Sequence, residues 1–236
     1  MNSESTIHRR KFVGRMLGAA AAASFSTSGT RVAAQESGAD DWITDVRGTH
    51  RCLFDFPQHK NGFPLLHILN YLNTYQAAYK TGPGEVGAVG TFYGAGPHAS
   101  IPLAFNDAIW AKYELGVYTR LTDAEGKPYR RNVFNRPTSR ELHLLMHSID
   151  APMIPALADA IPALGIENLQ QMGTKFLLCA NALGIWSLEL EARGKGKAPD
   201  IEKELRANLL PGVTIVPAMV IAIEQAQEAG IRYNRQ

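Results

Sequence analysis

The segment Thr174-Lys-Phe-Leu-Leu-Cys-Ala-Asn-Ala-Leu-Gly184 joins a short buried strand to the start of a helix. Residues 175–178 form an apolar run that is typical of a strand covered on both faces. Asn181 is a suitable N-cap for a helix over residues 182–193. Cys179 is therefore predicted to lie at the carboxyl end of a strand and beside the N-terminus of a helix.

The predicted position of Cys179 has two interpretations. Open parallel α/β sheets bind ligands at the carboxyl ends of their strands, and a helix N-terminus favours a thiolate over a thiol. Under this interpretation Cys179 is a reactive cysteine. The alternative is an inert cysteine that fills space in the core, because free cysteine is among the most buried residue types.

The remainder of the chain alternates between strand and helix patterns. Further strands are predicted at 50–56, 85–93, 212–216 and 231–233. Further helices are predicted at 64–80, 101–115 with Ser100 as its cap, 138–149, 166–172, 201–209 and 218–228. This alternation predicts an α/β fold with a mainly parallel sheet of about five strands. Residues 48–236 are predicted to form one domain, with an irregular insert near 117–165 and a polar lead-in at 35–47.

The first 34 residues have the pattern of a twin-arginine export signal. Arg9-Arg10-Lys11-Phe12-Val13 supplies the arginine pair, residues 16–23 form a short alanine-rich apolar region, and Val32-Ala33-Ala34 offers a cleavage site. The apolar region is too short to span a membrane. The pattern predicts a protein that is exported to the periplasm and has no membrane span.

The charge of the chain depends on this N-terminal segment. The full sequence has a formal net charge of +2, and it falls to −2 without residues 1–34, which hold five basic residues and one acidic residue. The remaining chain has no excess of positive charge for binding nucleic acid or an anionic membrane surface. Nucleic acid is therefore not expected as a partner.

The chain has two cysteines, Cys52 and Cys179. An oxidising compartment would permit a disulfide between them. Cys52 lies near the start of its predicted strand and Cys179 at the end of its own, so in a parallel sheet the two thiols face opposite edges. A strand spans about 17–20 Å, and disulfide-bonded Cα atoms lie within about 7 Å. No intrachain disulfide is therefore predicted.

Several segments together resemble the DsrE/DsrF-like family. They are Phe54-Asp-Phe56, His67-Ile-Leu-Asn-Tyr-Leu-Asn73, Phe176-Leu-Leu-Cys-Ala-Asn-Ala-Leu183, Gly212-Val-Thr-Ile-Val-Pro-Ala-Met-Val220 and Ile223-Glu-Gln-Ala-Gln-Glu-Ala-Gly-Ile-Arg-Tyr233. The resemblance implies a flavodoxin-like three-layer sandwich that assembles into homo-oligomers or hetero-oligomers. Some members pass sulfur as a persulfide on a cysteine, a role that would fall to Cys179 here. The implied partners are a small sulfur compound or a sulfur-donor protein.

Polar residues at three strand ends are expected to converge near Cys179. The candidates are Gln58 and His59 after the first strand, Tyr93 and His98 after the second, and Asn181 after the third. A histidine near a cysteine can hold a thiolate or move a proton. Cys179, His98 and Asn181 are the predicted catalytic residues. The alternative for His98 and His59 is a loop residue and a solvated turn residue.

Two other patterns suggest ligands but are weaker. Gly94-Ala-Gly-Pro-His-Ala99 matches a dinucleotide fingerprint, but it follows the second strand, so a turn for close helix–strand packing is the favoured interpretation. His143 and His147 share one face of a predicted helix and would suit a metal ion, although two surface histidines are the simpler interpretation. No cofactor and no metal are included in the prediction.

Three hypotheses for function follow from these patterns. The first is a sulfur carrier or sulfurtransferase that uses a persulfide on Cys179. The second is a non-catalytic protein that binds a small molecule or forms an oligomeric assembly, with Cys179 buried and unreactive. The third is a metal-binding protein that uses His143 and His147.

Overall fold

The computed structural model describes residues 41–236, which form a five-stranded sheet with helices on both faces. All strand pairs are parallel, and the spatial order is β4-β3-β2-β1-β5. The strands are β1 (His50–Asp55), β2 (Val86–Phe92), β3 (Thr174–Cys179), β4 (Val213–Val216) and β5 (Arg232–Arg235). The predicted α/β fold with a flavodoxin-like three-layer sandwich is confirmed.

Nine α-helices and four 3₁₀ segments surround the sheet in the described part of the chain. The α-helices are α1 (Asp41–Asp45), α2 (Phe63–Tyr79), α3 (Asp107–Lys112), α4 (Leu115–Thr119), α5 (Leu142–Ser148), α6 (Ile166–Gln171), α7 (Ala180–Ala192), α8 (Ala198–Ala207) and α9 (Met219–Glu228). The 3₁₀ segments are Lys60–Gly62, Ile101–Ala104, Ser139–Glu141 and Pro155–Leu164.

The alternation of side chains along β1 places α2 and α9 on opposite faces of the sheet. On one face, Phe54 packs edge-on against Tyr71 of α2, with ring centroids 5.5 Å apart. On the other face, the guanidinium of Arg51 donates to the carbonyl of Ala229, immediately after α9, at 2.7 Å. Because both faces are covered, the middle strands are almost entirely apolar, as the sequence pattern predicted.

The predicted helix over 101–115 is wrong. The chain forms a 3₁₀ turn at Ile101–Ala104, becomes extended at Phe105, and enters α3 only after Asn106, whose side-chain oxygen accepts from the N–H of Ile109 at 3.2 Å. Ser100 makes no helix cap. Its hydroxyl instead accepts from the N–H of Tyr93 at 3.0 Å, and this bond fixes the loop that follows β2.

The insert at 117–165 is less irregular and less polar than its sequence suggested. It contains most of α4, all of α5 and a long 3₁₀ segment, and it contributes buried apolar side chains to the main core: Leu121, Tyr129, Val133, Phe134, Leu142, Leu144, Leu145 and Met146. Buried Asn132 ties the insert to the 3₁₀ turn after β2, because its amide donates to the carbonyls of Leu103 at 2.9 Å and Phe105 at 2.7 Å. The insert is therefore part of the domain core.

The predicted export signal at 1–34 and residues 35–40 of the lead-in at 35–47 lie outside the described residues. Within residues 41–236, none of the helices combines the length and the apolar character that crossing a bilayer requires.

Candidate functional site

Cys179 lies at the carboxyl end of β3, where two helices begin. It is the N-cap of α7, and its Sγ accepts a hydrogen bond from the backbone N–H of Ala182 at 3.4 Å. Sγ also accepts from the N–H of Met219, the first residue of α9, at 3.4 Å. The residue is 5% exposed. Two backbone N–H groups, from the first turns of two helices, thus converge on one sulfur atom.

The expected capping role of Asn181 is wrong. The helix begins two residues earlier than predicted, so Asn181 lies inside the first turn of α7 with its side chain exposed. The sulfur of Cys179 takes the capping position instead. Cysteine is not among the residue types that commonly cap helices, and the preference for asparagine therefore misled the sequence interpretation.

His98 is exposed in the loop between β2 and the first 3₁₀ turn after it. Within residues 41–236, none of its hydrogen bonds reaches Cys179. Its carbonyl accepts from the N–H of His59 at 2.8 Å, and the two imidazole centroids lie 6.0 Å apart. The structure therefore brings His98 together with His59, whereas no hydrogen bond among residues 41–236 joins His98 to the thiol of Cys179.

His59 is buried, contrary to the interpretation as a solvated turn residue. Its Nδ1 accepts from the N–H of Asn61 at 3.0 Å, and its Nε2 lies 3.3 Å from the carbonyl of Pro97. This pattern requires a neutral ring that is protonated on Nε2. Burial lowers the pKa of His59 to about 4. His59 is therefore a neutral side chain that ties two loops together at the carboxyl edge of the sheet.

A second polar cluster at this edge was missed by the sequence interpretation. Buried Asp55 ends β1, and its two carboxylate oxygens accept from the hydroxyls of Tyr93 and Tyr233, each at 2.7 Å. The hydroxyl of Thr91 lies 3.4 Å from the same carboxylate. Burial, together with the hydrogen bond to Asp55, raises the pKa of Tyr93. The cluster joins the ends of β1, β2 and β5.

The Asp55 cluster and Cys179 occupy the same face and the same edge of the sheet. Phe92 pairs with Leu178, so Tyr93 and Cys179 are the next residues along two neighbouring strands. Side chains that are level on neighbouring strands point to the same face. The carboxyl edge on the α9 face thus carries a thiol, two phenols and a carboxylate.

The glycine-rich loop at 94–99 has the geometry of a tight turn. Gly94 has a φ of +96°, and a Cβ atom there would lie 2.5 Å from the carbonyl oxygen of Pro57. The N–H of Gly96 donates to the carboxylate of Glu189 on α7 at 3.2 Å. The carboxylate of Glu189 therefore already accepts a hydrogen bond from a backbone N–H that a bound phosphate would need. This geometry supports the packing interpretation over nucleotide binding.

His143 and His147 lie on α5 with ring centroids 6.0 Å apart. Both ring nitrogens of His143 face carbonyl oxygens, Nδ1 that of Arg140 at 2.9 Å and Nε2 that of Thr122 at 3.0 Å. A metal ligand needs a nitrogen lone pair that is directed at the ion. Residues 41–236 contain no group of three histidine, cysteine, aspartate or glutamate side chains that could hold a metal ion. The structure gives the metal hypothesis no support.

Cys52, the second cysteine, lies at the opposite edge of the sheet from Cys179. Both thiols are free and buried. Strand register places Cys52 level with Ala88, and Ala88 level with Thr174, at the opposite end of β3 from Cys179. Burial raises the pKa of Cys52 to about 11. The register agrees with the expectation that the two cysteines are too far apart for a disulfide.

Comparison of the chain with protein-family models, curated proteins and solved structures gives no match. The functional interpretation therefore depends on the geometry of the site and on the resemblance noted in the sequence.

Proposed function

We propose that this protein carries sulfur as a persulfide on Cys179. The observation that supports the proposal is the pair of backbone N–H groups, from Ala182 and Met219, that donate to Sγ. Hydrogen bonds to the charged form of a group stabilise that form, and two helix N-termini add favourable dipoles. A thiolate is the species that attacks sulfur.

The proposed step is a transfer of sulfane sulfur. The Cys179 thiolate attacks the outer sulfur of a donor persulfide, so a new sulfur–sulfur bond forms on the protein. The sulfur–sulfur bond of the donor breaks, and its inner sulfur leaves as a thiolate with the bonding electron pair. The reaction has no net oxidation or reduction. The donor is a small persulfide or a sulfur-donor protein.

The proposal includes a cellular setting that residues 1–34 and the resemblance suggest. The protein would be exported to the periplasm by the twin-arginine route and would function as a homo-oligomer. Sulfur would then be accepted, carried or transferred outside the cytoplasm, as the resemblance to the DsrE/DsrF-like family suggests.

The burial of Cys179 supports a second candidate. With 5% of the residue exposed, the thiol is nearly covered. An inert cysteine at this edge would fit a non-catalytic protein that binds a small molecule or forms an oligomeric assembly. The two candidates differ in whether native Cys179 reacts.

Intact mass spectrometry distinguishes the two candidates. The full protein is incubated with a small alkyl persulfide and measured before and after a reductant, with peptide mapping of both cysteines. Sulfur carriage predicts a reductant-sensitive gain of one sulfur atom on Cys179, which is lost in Cys179→Ser and retained in the matched variant Cys52→Ser. No gain on Cys179, together with alkylation only after unfolding, would favour the binding or assembly role.

A further inference from the structure

Strand β5 forms an open edge of the sheet. It pairs only with β1 within residues 41–236, and all four of its residues are exposed. The N–H of Gln236 donates toward β1, to the carbonyl of Asp55 at 2.9 Å. Because backbone groups alternate in direction along a strand, the N–H and C=O groups of Tyr233 and Arg235 point away from the sheet. These groups can pair with an added strand.

A groove of about 570 Å³ runs beside this edge. One wall is a row of tyrosines on α2, Tyr71, Tyr75 and Tyr79, whose neighbouring ring centroids lie 5.0 and 5.2 Å apart. The other wall includes Asn234 and Arg235 of β5. The volume suits one or two large side chains. The groove therefore offers an aromatic pocket next to unpaired backbone groups.

The exposed charges on β5 are positive. Arg232 and Arg235 are exposed, and in the described part of the chain neither makes an ion pair or a side-chain hydrogen bond. The residues that line the groove include no aspartate or glutamate. Short, charged edges discourage pairing between identical strands, since like charges face each other. The same charges attract a strand that carries carboxylates.

We propose that the β5 edge binds an extended acidic peptide segment of a partner protein. The segment would add to the sheet as a sixth strand and hydrogen-bond to Tyr233 and Arg235 through its backbone. An aromatic or aliphatic side chain of the segment would enter the tyrosine groove, and carboxylates would meet Arg232 and Arg235. This inference is independent of the sulfur chemistry of Cys179.

Fluorescence anisotropy with a labelled peptide, Glu-Val-Tyr-Glu-Val, tests the proposal on the full chain, since its two carboxylates lie on opposite faces of a strand, as Arg232 and Arg235 do. Saturable binding is expected, at least about tenfold tighter than that of the lysine analogue Lys-Val-Tyr-Lys-Val. The double variant Arg232→Glu/Arg235→Glu should reverse this preference. The control Arg206→Glu, on α8 and away from the edge, should leave it unchanged.

Two further measurements separate strand addition from other kinds of binding. A glutamate peptide with N-methyl groups on the alternate backbone nitrogens that face β5 should lose binding, because it cannot complete the ladder. Tyr75→Ala should weaken the binding of the unmodified peptide. The proposal is overturned if no probe binds saturably, if the glutamate and lysine peptides bind equally, or if the N-methylated peptide binds as well. It is also overturned if Arg232→Glu/Arg235→Glu sediments as a smaller species than the parent protein, because a second copy of the chain would then cover the β5 edge.

Discussion

The backbone N–H of Met219 donates to the sulfur of Cys179 at 3.4 Å, although 40 residues separate the two in the sequence. A proline at position 219 would remove this donor. Met219 is the first residue of α9, where proline is favoured, and Ala218 before it is extended, as the residue before a proline must be. The helix can therefore form without this one hydrogen bond.

Met219→Pro is expected to slow the alkylation of Cys179, because the reacting sulfur loses one of its two N–H donors. A hydrogen bond to a charged group contributes about 1.5 kcal/mol, so the rate near neutral pH should fall by about tenfold. The rate of iodoacetamide modification at neutral pH, followed by peptide mapping, provides the measurement. Met219→Ala removes the same side chain but keeps the N–H, and should react nearly as fast as the parent protein. Equal slowing in both variants would show that packing, and not the N–H, controls the thiol.

His59 should make the protein sensitive to mild acid. Burial lowers its pKa from 6.5 in the unfolded chain to about 4 in the folded protein. Between these values the unfolded state binds the additional proton, so stability is intact above pH 6.5 and falls as the pH decreases towards 4. The total loss is about 3 kcal/mol.

Urea denaturation as a function of pH measures this effect. The His59→Gln variant should be less stable than the parent protein at neutral pH. Its free energy of unfolding should vary less with pH between 6.5 and 4, because the side chain that titrates is absent. His98→Gln, which changes the exposed neighbour, should retain the full dependence. If the parent protein and His59→Gln show the same slope with pH, His59 does not titrate in this window.

The phenol of Tyr93 is expected to stabilise the carboxyl ends of β1 and β2 through Asp55. Tyr93→Phe should lower the free energy of unfolding by about 1.5 kcal/mol, because it leaves a buried carboxylate with one hydrogen bond fewer. Tyr233→Phe should have a smaller effect, since Tyr233 is 40% exposed. Tyr79→Phe is the matched control, because Tyr79 is 70% exposed and its hydroxyl makes no hydrogen bond within residues 41–236. A loss in Tyr79→Phe as large as that in Tyr93→Phe would contradict this role.

Substitutions at two glycines in one loop distinguish the stability cost of a left-handed backbone from the cost of a steric clash. Gly94 and Gly96 both have positive φ, but only Gly94 has a carbonyl oxygen where a Cβ would lie. Gly96→Ala should lower the free energy of unfolding by about 1 kcal/mol, because alanine is strained in the left-handed backbone conformation. Gly94→Ala should cost about 2 kcal/mol more, because the backbone of Pro57 must move. Thermal denaturation measures the stability of both variants. Equal losses of stability would argue against the close approach of Gly94 to Pro57.

Apolar runs predicted the sheet well because strands that are covered on both faces can contain little else. The strand predicted to end at Cys179 illustrates this, because it spans Thr174–Cys179 and contains the apolar run at 175–178. The helix expected over 101–115 failed for a local reason. Pro102 and the capping side chain of Asn106 interrupt a segment whose apolar periodicity looked continuous.

The site was only partly predictable from the sequence. The location of Cys179 followed from local patterns, but the N–H of Met219 reaches it from another helix. Asp55 and Tyr233 are joined by a hydrogen bond across 178 residues, and neither residue type marks a site by itself. Local sequence carries no information about contacts of this range, which depend on strand order.

The place of β5 beside β1 also has a consequence for protein synthesis. The N-terminal end of a chain leaves the ribosome first, so β1, β2 and β3 emerge well before β5, and β4 emerges shortly before it. Until then the outer edge of β1 has no partner, and the carboxylate of Asp55 lacks the phenol of Tyr233. The sheet therefore closes only after translation has delivered the last strand, and a nascent chain that lacks β5 remains incompletely folded.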